Sequence, residues 1–144
     1  MLRTVKINNS NLEFLKEFLE TAGISLKTFR YYNKHPLSII KNHLVTYMIM
    51  NNNSPICYGH LDKEKEQIWL GIAVTEEYCS KGLGKMMMNK LINYAKRHQV
   101  NKIFLSVDND NLRAINLYKK FNFVEEDKKD KNTIYSLEFR NDKR

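Results

Sequence analysis

The stretch that decides the fold runs from residue 74 to residue 85 and reads VTEEYCSKGLGK. A largely apolar segment over residues 67–74 leads into it, which predicts a buried strand. The segment over residues 83–98 repeats its apolar residues at the spacing of an amphipathic helix. The sequence therefore predicts a strand, then a polar turn, then a helix that begins at two glycines.

The turn carries the features of an anion site. Gly82 and Gly84 let backbone N–H groups approach a ligand closely. The free N–H groups of a first helical turn, together with the helix dipole, attract negative charge. Ser80, Lys81 and Lys85 add a hydroxyl and two cations. The turn thus predicts a seat for a pyrophosphate; the alternative is a helix start that needs glycine only for packing.

A second motif follows the next predicted strand, over residues 111–123, and reads NLRAINLYKKFNF. Asn111 is placed to cap a helix whose apolar face carries Ala114 and Tyr118. With these two motifs in register, the stretch over residues 68–124 resembles the GCN5-related N-acetyltransferase (GNAT) family. That family's coenzyme A loop reads (R/Q)-x-x-G-x-(G/A), and its second motif reads N-x-x-A-x-x-x-Y-x-x-x-G-F.

The resemblance implies an α/β fold, in which a mixed, twisted sheet of six or seven strands is flanked by about four helices. It also implies transfer of an acetyl group from acetyl-coenzyme A (acetyl-CoA) to a primary amine by direct attack. The cofactor-binding residues that it implies are Ile72, Ala73, Val74, Cys79, Ser80, Lys81, Gly82, Leu83, Gly84, Lys85, Asn111 and Tyr118. Tyr118 occupies the general-acid position, and an ordinary tyrosine pKa of about 10 leaves it able to donate a proton at neutral pH.

Two residues depart from the family pattern. Cys79 stands where the family has Arg or Gln, and Asn122 stands where it has Gly. Asparagine adopts a left-handed backbone more readily than most residues, so the second change is mild. The first removes a side chain that supports the loop. We expect rearranged support for the loop rather than lost cofactor binding.

The acceptor side of the site is less defined. His60 is a candidate general base, with a water chain or a purely structural histidine as alternatives. Phe29, Arg30 and Tyr31 are candidate acceptor-binding residues, because aromatic rings and an arginine can stack on a sugar and pair with a phosphate. An amino sugar or sugar nucleotide is the acceptor that this loop suggests. A peptide or protein N-terminus, a polyamine and a drug-like amine stay open, as does a core role for Phe29.

The rest of the pattern fits that order of elements. A capping box over residues 10–13 predicts the start of a first helix, which Gly23 ends. Strands over residues 44–50, 55–61 and 67–74, joined by polar turns, predict an antiparallel meander. Strand–helix–strand crossovers in the second half predict some parallel pairing. Gly71 indicates a bulge or a close approach within its strand.

Composition sets the remaining expectations. The chain has 144 residues, a net charge of +8 with scattered lysines, and two cysteines without metal-ligand spacing. We expect one domain over residues 1–144, a frayed tail over residues 140–144, and a cytoplasmic monomer or homodimer. We expect no metal, membrane or nucleic-acid partner. A non-catalytic coenzyme A sensor and a basic nucleic-acid-binding protein are the competing functions.

Overall fold

Seven strands form one mixed sheet in the computed structural model, which describes residues 1–139; the tail over residues 140–144 lies outside the described residues. The strands are β1 (Leu2–Lys6), β2 (His43–Asn51), β3 (Ser54–Glu64), β4 (Gln67–Val74), β5 (Lys102–Asp108), β6 (Val124–Lys128) and β7 (Asn132–Glu138). The α-helices are α1 (Leu12–Thr21), α2 (Tyr31–Lys34), α3 (Leu83–Arg97) and α4 (Leu112–Lys120). Three short 3-10 helices cover Gly23–Lys27, Leu37–Asn42 and Glu76–Tyr78. The predicted fold class is confirmed.

The sheet order is β1-β2-β3-β4-β5-β7-β6. The first four strands pair antiparallel as a meander. The connection through α3 then makes β5 parallel to β4, as a strand–helix–strand crossover requires. β7 pairs antiparallel with β5 and places β6 at the edge. The predicted mixture of antiparallel and parallel pairing is therefore confirmed.

Apolar residues pack on both faces of the sheet. On one face, α3 and α4 bury Met87, Leu91 and Tyr118 against the strands. On the other face, α1 buries Leu15 and Phe18 beside residues of β2 and β3. Complete burial of one such side chain contributes about 1.5–3 kcal/mol to folding. Side chains of a strand alternate between the two faces, so each residue of β3 and β4 belongs to one side of the sheet.

The predicted capping box at the first helix is wrong. Asn11, not Ser10, is the N-cap residue of α1, and no side chain caps the helix. The Ser10 hydroxyl instead donates to Asn8 Oδ1, and the Asn8 N–H donates to Asn11 Oδ1 over 2.8 Å. Short polar side chains in a turn bond to one another and to nearby backbone, and here that local pattern replaces the cap. Gly23 does follow the end of α1, with a φ of 72°.

The polar turn predicted over residues 62–66 is shorter than expected. β3 continues to Glu64, and the connection to β4 is the pair Lys65 and Glu66, with φ angles of 50° and 68°. Two left-handed residues form the tight hairpin whose twist matches paired strands, so the ladder extends to the turn. As a result Asp62 lies on a strand and is buried. The segment that carries the candidate acceptor residues Phe29, Arg30 and Tyr31 contains the four-residue helix α2.

Within residues 1–139, no helix combines the length and the apolar character that crossing a bilayer would need.

Candidate active site

The central feature of the site is a gap between β4 and β5. Within the described part of the chain, these strands pair only at Ile68 with Ile103 and at Trp69 with Phe104. β4 continues to Val74 while β5 diverges from it. The backbone of residues 71–74 therefore has an edge that no neighbouring strand of the described sheet covers.

The antiparallel ladder with β3 determines which groups point into that gap. The Thr75 N–H donates to the Ile56 carbonyl over 3.0 Å, and bonded pairs alternate along such a ladder. The N–H and C=O groups of Leu70, Ile72 and Val74 consequently point away from β3. The Val74 carbonyl accepts a hydrogen bond from Ser25 Oγ. The parallel pairing of Trp69 with Phe104 engages the Leu70 N–H with the Phe104 carbonyl. The N–H groups of Ile72 and Val74 remain directed at the gap, as an extended ligand with amide groups would need.

The anion seat lies directly beyond the end of β4. Ser80 and Gly82 both have left-handed backbones, with φ angles of 66° and 85°. Gly82 is the N-cap residue of α3, so the N–H groups of the first helical turn are free of helical partners. A Cβ on Gly82 would meet nothing within 4 Å. The space above this glycine is therefore open for an anion, and the exposed Lys81 and Lys85 flank it.

Cys79 connects this loop to the end of β4. Its Sγ lies 3.5 Å from the Thr75 carbonyl oxygen and 3.8 Å from that of Val74. It also lies 3.8 Å from Ser25 Oγ. The thiol thus fastens the loop to the strand by weak hydrogen bonds. These contacts of Cys79 with Thr75, Val74 and Ser25 take the place of the longer Arg or Gln side chain that the family pattern has at this position.

The helix α4 packs against the start of α3. A Cβ on Gly84 would lie 3.2 Å from Leu117 Cδ2, so the missing side chain makes room for α4. At the start of α4, the Ala114 N–H donates to Asn111 Oδ1 over 3.3 Å. Asn111 is therefore the helix cap that the sequence allowed for. Asn122 has a φ of 72°, the left-handed backbone expected where the family has glycine.

Tyr118 lies on the buried face of α4. The residue is 8% exposed, its ring packs 5.8 Å from that of Phe123, and burial raises the pKa of its hydroxyl to about 12. Thr75 Oγ1 is the only fully buried side-chain polar atom without a partner in residues 1–139. The Tyr118 hydroxyl bonds to no described residue and is not itself fully buried. It is therefore a protonated donor without a partner in the described chain.

Residues 29–32, the aromatic segment, cover the opposite face of β3 and β4. Phe29 packs 5.2 Å from the Tyr58 ring, and is part of the core on that side. Arg30 forms two hydrogen bonds with the Asp108 carboxylate, of 2.9 and 3.0 Å. This ion pair joins the aromatic segment to the end of β5 and raises the pKa of Arg30. The Arg30 guanidinium already has an anionic partner.

Histidines and tyrosines form a polar network beneath the aromatic segment. His60 is 2% exposed, and its Nδ1 lies 2.6 Å from the Tyr58 hydroxyl. Burial lowers the pKa of His60 well below its usual value, so the ring is neutral. A Cβ on Gly71 would lie 2.7 Å from His60 Nε2, which confirms the close approach expected at Gly71. The His60 imidazole thus occupies the space beside the gap that a side chain at position 71 would fill.

A cavity of about 420 Å³ lies at the mouth of the gap, where β5 ends. Its border holds three carboxylates and two cations: Asp108, Asp110 and Asp130 with Arg30 and Lys131, beside Asn109. Asn109 fixes the β6–β7 turn to the end of β5, because its Nδ2 donates to the carbonyls of Lys129 and Asp130. Three carboxylates from two separate segments therefore converge, and one of them is paired with Arg30. Across residues 1–139, no group of His, Cys, Asp and Glu is arranged to hold a metal ion.

A sequence profile described as "Acetyltransferase (GNAT) family" matches residues 11–123. The chain belongs to the GNAT family. A spermine/spermidine N(1)-acetyltransferase from Bacillus subtilis is 38% identical over 64 residues, which are 43% of this chain and 42% of that protein. The match therefore spans less than half the length of this curated relative.

Solved structures share the fold across the chain. The PaiA N-acetyltransferase from Thermoplasma acidophilum, in complex with coenzyme A, has a TM-score of 0.76 at 17% identity, over 96% of this chain and 99% of that one. A probable acetyltransferase from Staphylococcus epidermidis has a TM-score of 0.80 at 12% identity, over 97% of this chain and 100% of that one. At these identities the likeness shows the fold alone.

The structure brings the predicted cofactor residues together and divides the predicted acceptor residues. Residues 72–74, the loop over residues 79–85 and α4 surround the gap, while Arg30 is bound to Asp108 and Phe29 is packed in the core. Sequence reasoning missed Asp62 and His43, which lie in the polar network beneath the aromatic segment. The alternation of β3 continues to Asp62, and that was the one signal that could have indicated its burial.

Proposed function

We propose that this protein transfers an acetyl group from acetyl-CoA to a primary amine of a small polycationic acceptor. One observation carries the first half of the proposal: the free backbone edge of β4 ends at an open anion seat formed by Gly82 and the first turn of α3. An extended chain with amide groups at one end and a pyrophosphate at the other matches both parts.

The residues of the gap fit coenzyme A. The C=O group of Ile72 and the free N–H group of Val74 would bond to the amides of the pantetheine arm and fix its position. The first-turn N–H groups of α3 would hold the pyrophosphate, with Lys81 and Lys85 supplying positive charge. When bound, acetyl-CoA supplies the activated acetyl group. Holding both reactants beside each other accounts for much of the rate enhancement of such transfers.

Three groups of this chain would then serve the transfer. The backbone N–H of Ile72, directed at the gap, would donate to the carbonyl oxygen as negative charge develops there. The Tyr118 hydroxyl would donate its proton to the departing sulfur, and its raised pKa keeps that proton in place at neutral pH. His60 Nε2, beside Gly71, or a water would accept the proton that the amine loses. Asn111 supports this arrangement by capping α4.

The charge at the mouth supports a polycationic acceptor. Asp108 is paired with Arg30, and the remaining charges at the cavity are Asp110, Asp130 and Lys131, which leaves one net negative charge to attract a cationic amine. The match to a relative named spermine/spermidine N(1)-acetyltransferase agrees with that choice. An amino sugar or sugar nucleotide has less support, because the arginine that would pair with its phosphate is bound to Asp108.

A panel of acceptors tests the proposal. Spermidine, glucosamine and a short peptide are compared by release of the coenzyme A thiol. We expect the highest kcat/KM with spermidine, and a KM that rises with salt, because the screening length falls from about 30 Å at 0.01 M to about 8 Å at 0.15 M. Asp130→Asn should raise the KM for spermidine, while Glu125→Gln, on the exposed edge strand β6, serves as a matched control. Preference for the sugar or the peptide would contradict the acceptor class. Coenzyme A binding without turnover on the whole panel would favour a non-catalytic sensor.

A further inference from the structure

Asp62 is a buried carboxylate on the acceptor side of the sheet. It is 6% exposed, it lies two residues after His60 on the same face of β3, and its partner across the ladder is Trp69. Directly paired residues of an antiparallel ladder place their side chains next to each other on one face. Asp62 and Trp69 are therefore neighbours at the level where β4 and β5 begin to diverge.

The charge of Asp62 lacks a cationic partner in the described chain. The ion pairs among residues 1–139 are Arg30–Asp108, Lys63–Glu66 and Lys102–Glu126. The nearby His43 and His60 are neutral, because burial lowers the pKa of both rings. The pKa of His43 is about 4, and that of His60 is well below its usual value. A buried carboxylate without a counter-charge is costly to maintain. A cationic ligand would supply what the chain does not.

A directed chain of hydrogen bonds orients this carboxylate. The Tyr31 hydroxyl donates to Asp62 Oδ2 over 2.8 Å. A tyrosine has one hydroxyl proton, so His43 Nε2–H must donate to the Tyr31 oxygen, also over 2.8 Å. His43 Nδ1 then accepts from Thr46 Oγ1 over 2.7 Å. Every donor in the chain points toward Asp62, which fixes one carboxylate oxygen and leaves the other free.

The other oxygen, Asp62 Oδ1, bonds to no described residue. It is not fully buried, because the only fully buried side-chain polar atom without a partner in residues 1–139 is Thr75 Oγ1. Asp62 Oδ1 is therefore an acceptor without a partner on a residue that is 6% exposed. The rings of Tyr31 and Trp69 stand beside it, and aromatic faces attract ammonium groups.

We propose that Asp62 Oδ1 binds a second ammonium group of the acceptor, with Tyr31 and Trp69 as aromatic walls. This inference rests on the proposed function and makes Asp62 a specificity-determining residue. Trp69, the ladder partner of Asp62, lies two residues before Gly71, beside which we place the acetyl transfer. At strand spacing that distance is about 7 Å, which suits two nitrogens separated by a propyl or butyl spacer. A polyamine presents that spacing, and an amine without a second charge does not.

Asp62→Asn tests the inference, with diaminobutane and butylamine as paired acceptors. The two have the same chain length and differ in the second nitrogen. We expect the KM for diaminobutane to rise about tenfold or more, the size of one strong charge contact, with kcat and the KM for butylamine changed less than about twofold. Glu64→Gln is the matched control, because Glu64 is the next residue on that face of β3 and is exposed. It should leave both KM values unchanged.

A binding measurement separates this inference from the proposed function. Diaminobutane alone should raise the melting temperature of the wild-type chain by mass action, and should not raise that of Asp62→Asn. If the wild type shows this shift but acetylates no amine, the proposed function fails and the Asp62 site stands. If Asp62→Asn does not fold, Tyr31→Phe serves as the second variant. It keeps the carboxylate but frees Oδ2, and it should weaken diaminobutane binding. Equal KM values for diaminobutane in the wild type and Asp62→Asn, or an equal rise for butylamine, would overturn the inference.

Discussion

Gly82 and Gly84 show at the residue scale how far a motif can be understood before its structure is known. Both were expected to let a ligand approach the backbone. Gly82 has a left-handed backbone and open space above it, as that expectation requires. Gly84 instead makes room for Leu117, a residue of another helix that lies more than thirty positions away in sequence. Local spacing predicts backbone conformation, but it does not contain such long-range packing.

Replacing Tyr118 with Phe tests whether Tyr118 is the proton donor. Loss of a general acid lowers kcat by about 10²–10⁴-fold, and the KM for acetyl-CoA should change little because the ring remains. Burial raises the pKa of Tyr118 to about 12, so wild-type kcat should not fall as the pH passes the ordinary tyrosine value of 10. Steady-state kinetics across that pH range measure both effects. Full activity in Tyr118→Phe would remove this residue from the mechanism.

His43 predicts how stability depends on pH. Its pKa is about 4 in the folded chain, below the ordinary value of 6.5, so the unfolded chain binds more protons between those values. The free energy of unfolding should therefore be fully present above about pH 6.5 and fall as the pH drops toward about 4. In His43→Gln this dependence should be shallower, with His60 accounting for the remainder. Urea denaturation at several pH values measures it, and parallel curves for wild type and variant would contradict the assignment.

At the scale of elements, the strand–turn–helix unit from β4 to α3 was predicted almost residue by residue. Its signals are local: an apolar strand, left-handed turn residues and a helical repeat. The predictions were wrong where contacts beyond the local sequence pattern determine the structure. Ser10 bonds within an asparagine turn instead of capping α1, and β3 extends because its ladder with β4 continues to the hairpin. Tertiary pairing overrode the polar composition of residues 62–64 there.

The start of α3 gives a prediction at this scale. Gly82→Val forces a branched residue into a φ of 85° and fills the open space above the seat. We expect strain of about 1–3 kcal/mol and loss of the rise in melting temperature that acetyl-CoA causes in the wild type. Gln99→Val is the matched control, since Gln99 has a φ of 60° just beyond the other end of α3. A Gly82→Val chain that still responds fully to acetyl-CoA would show that the seat lies elsewhere.

At the scale of the whole molecule, charge is distributed in a way that composition does not reveal. The chain carries a net charge of +8, yet three carboxylates meet at the mouth of the gap and a fourth, Asp62, lies buried beneath the aromatic segment. These residues come from β3, the end of β5 and the β6–β7 turn, which only the folded sheet brings together. The resemblance could predict the candidate cofactor residues, because its motifs are contiguous. The candidate acceptor residues come from distant segments and could not be predicted.

Acetyl transfer to a polycationic amine can be measured directly. The wild-type chain is incubated with acetyl-CoA and spermidine, and the mass of the amine is measured alongside the released coenzyme A thiol. We expect spermidine that is heavier by one acetyl group, in an amount equal to the thiol released. Thiol release without acetylated amine, or neither product at saturating concentrations of both reactants, would contradict it.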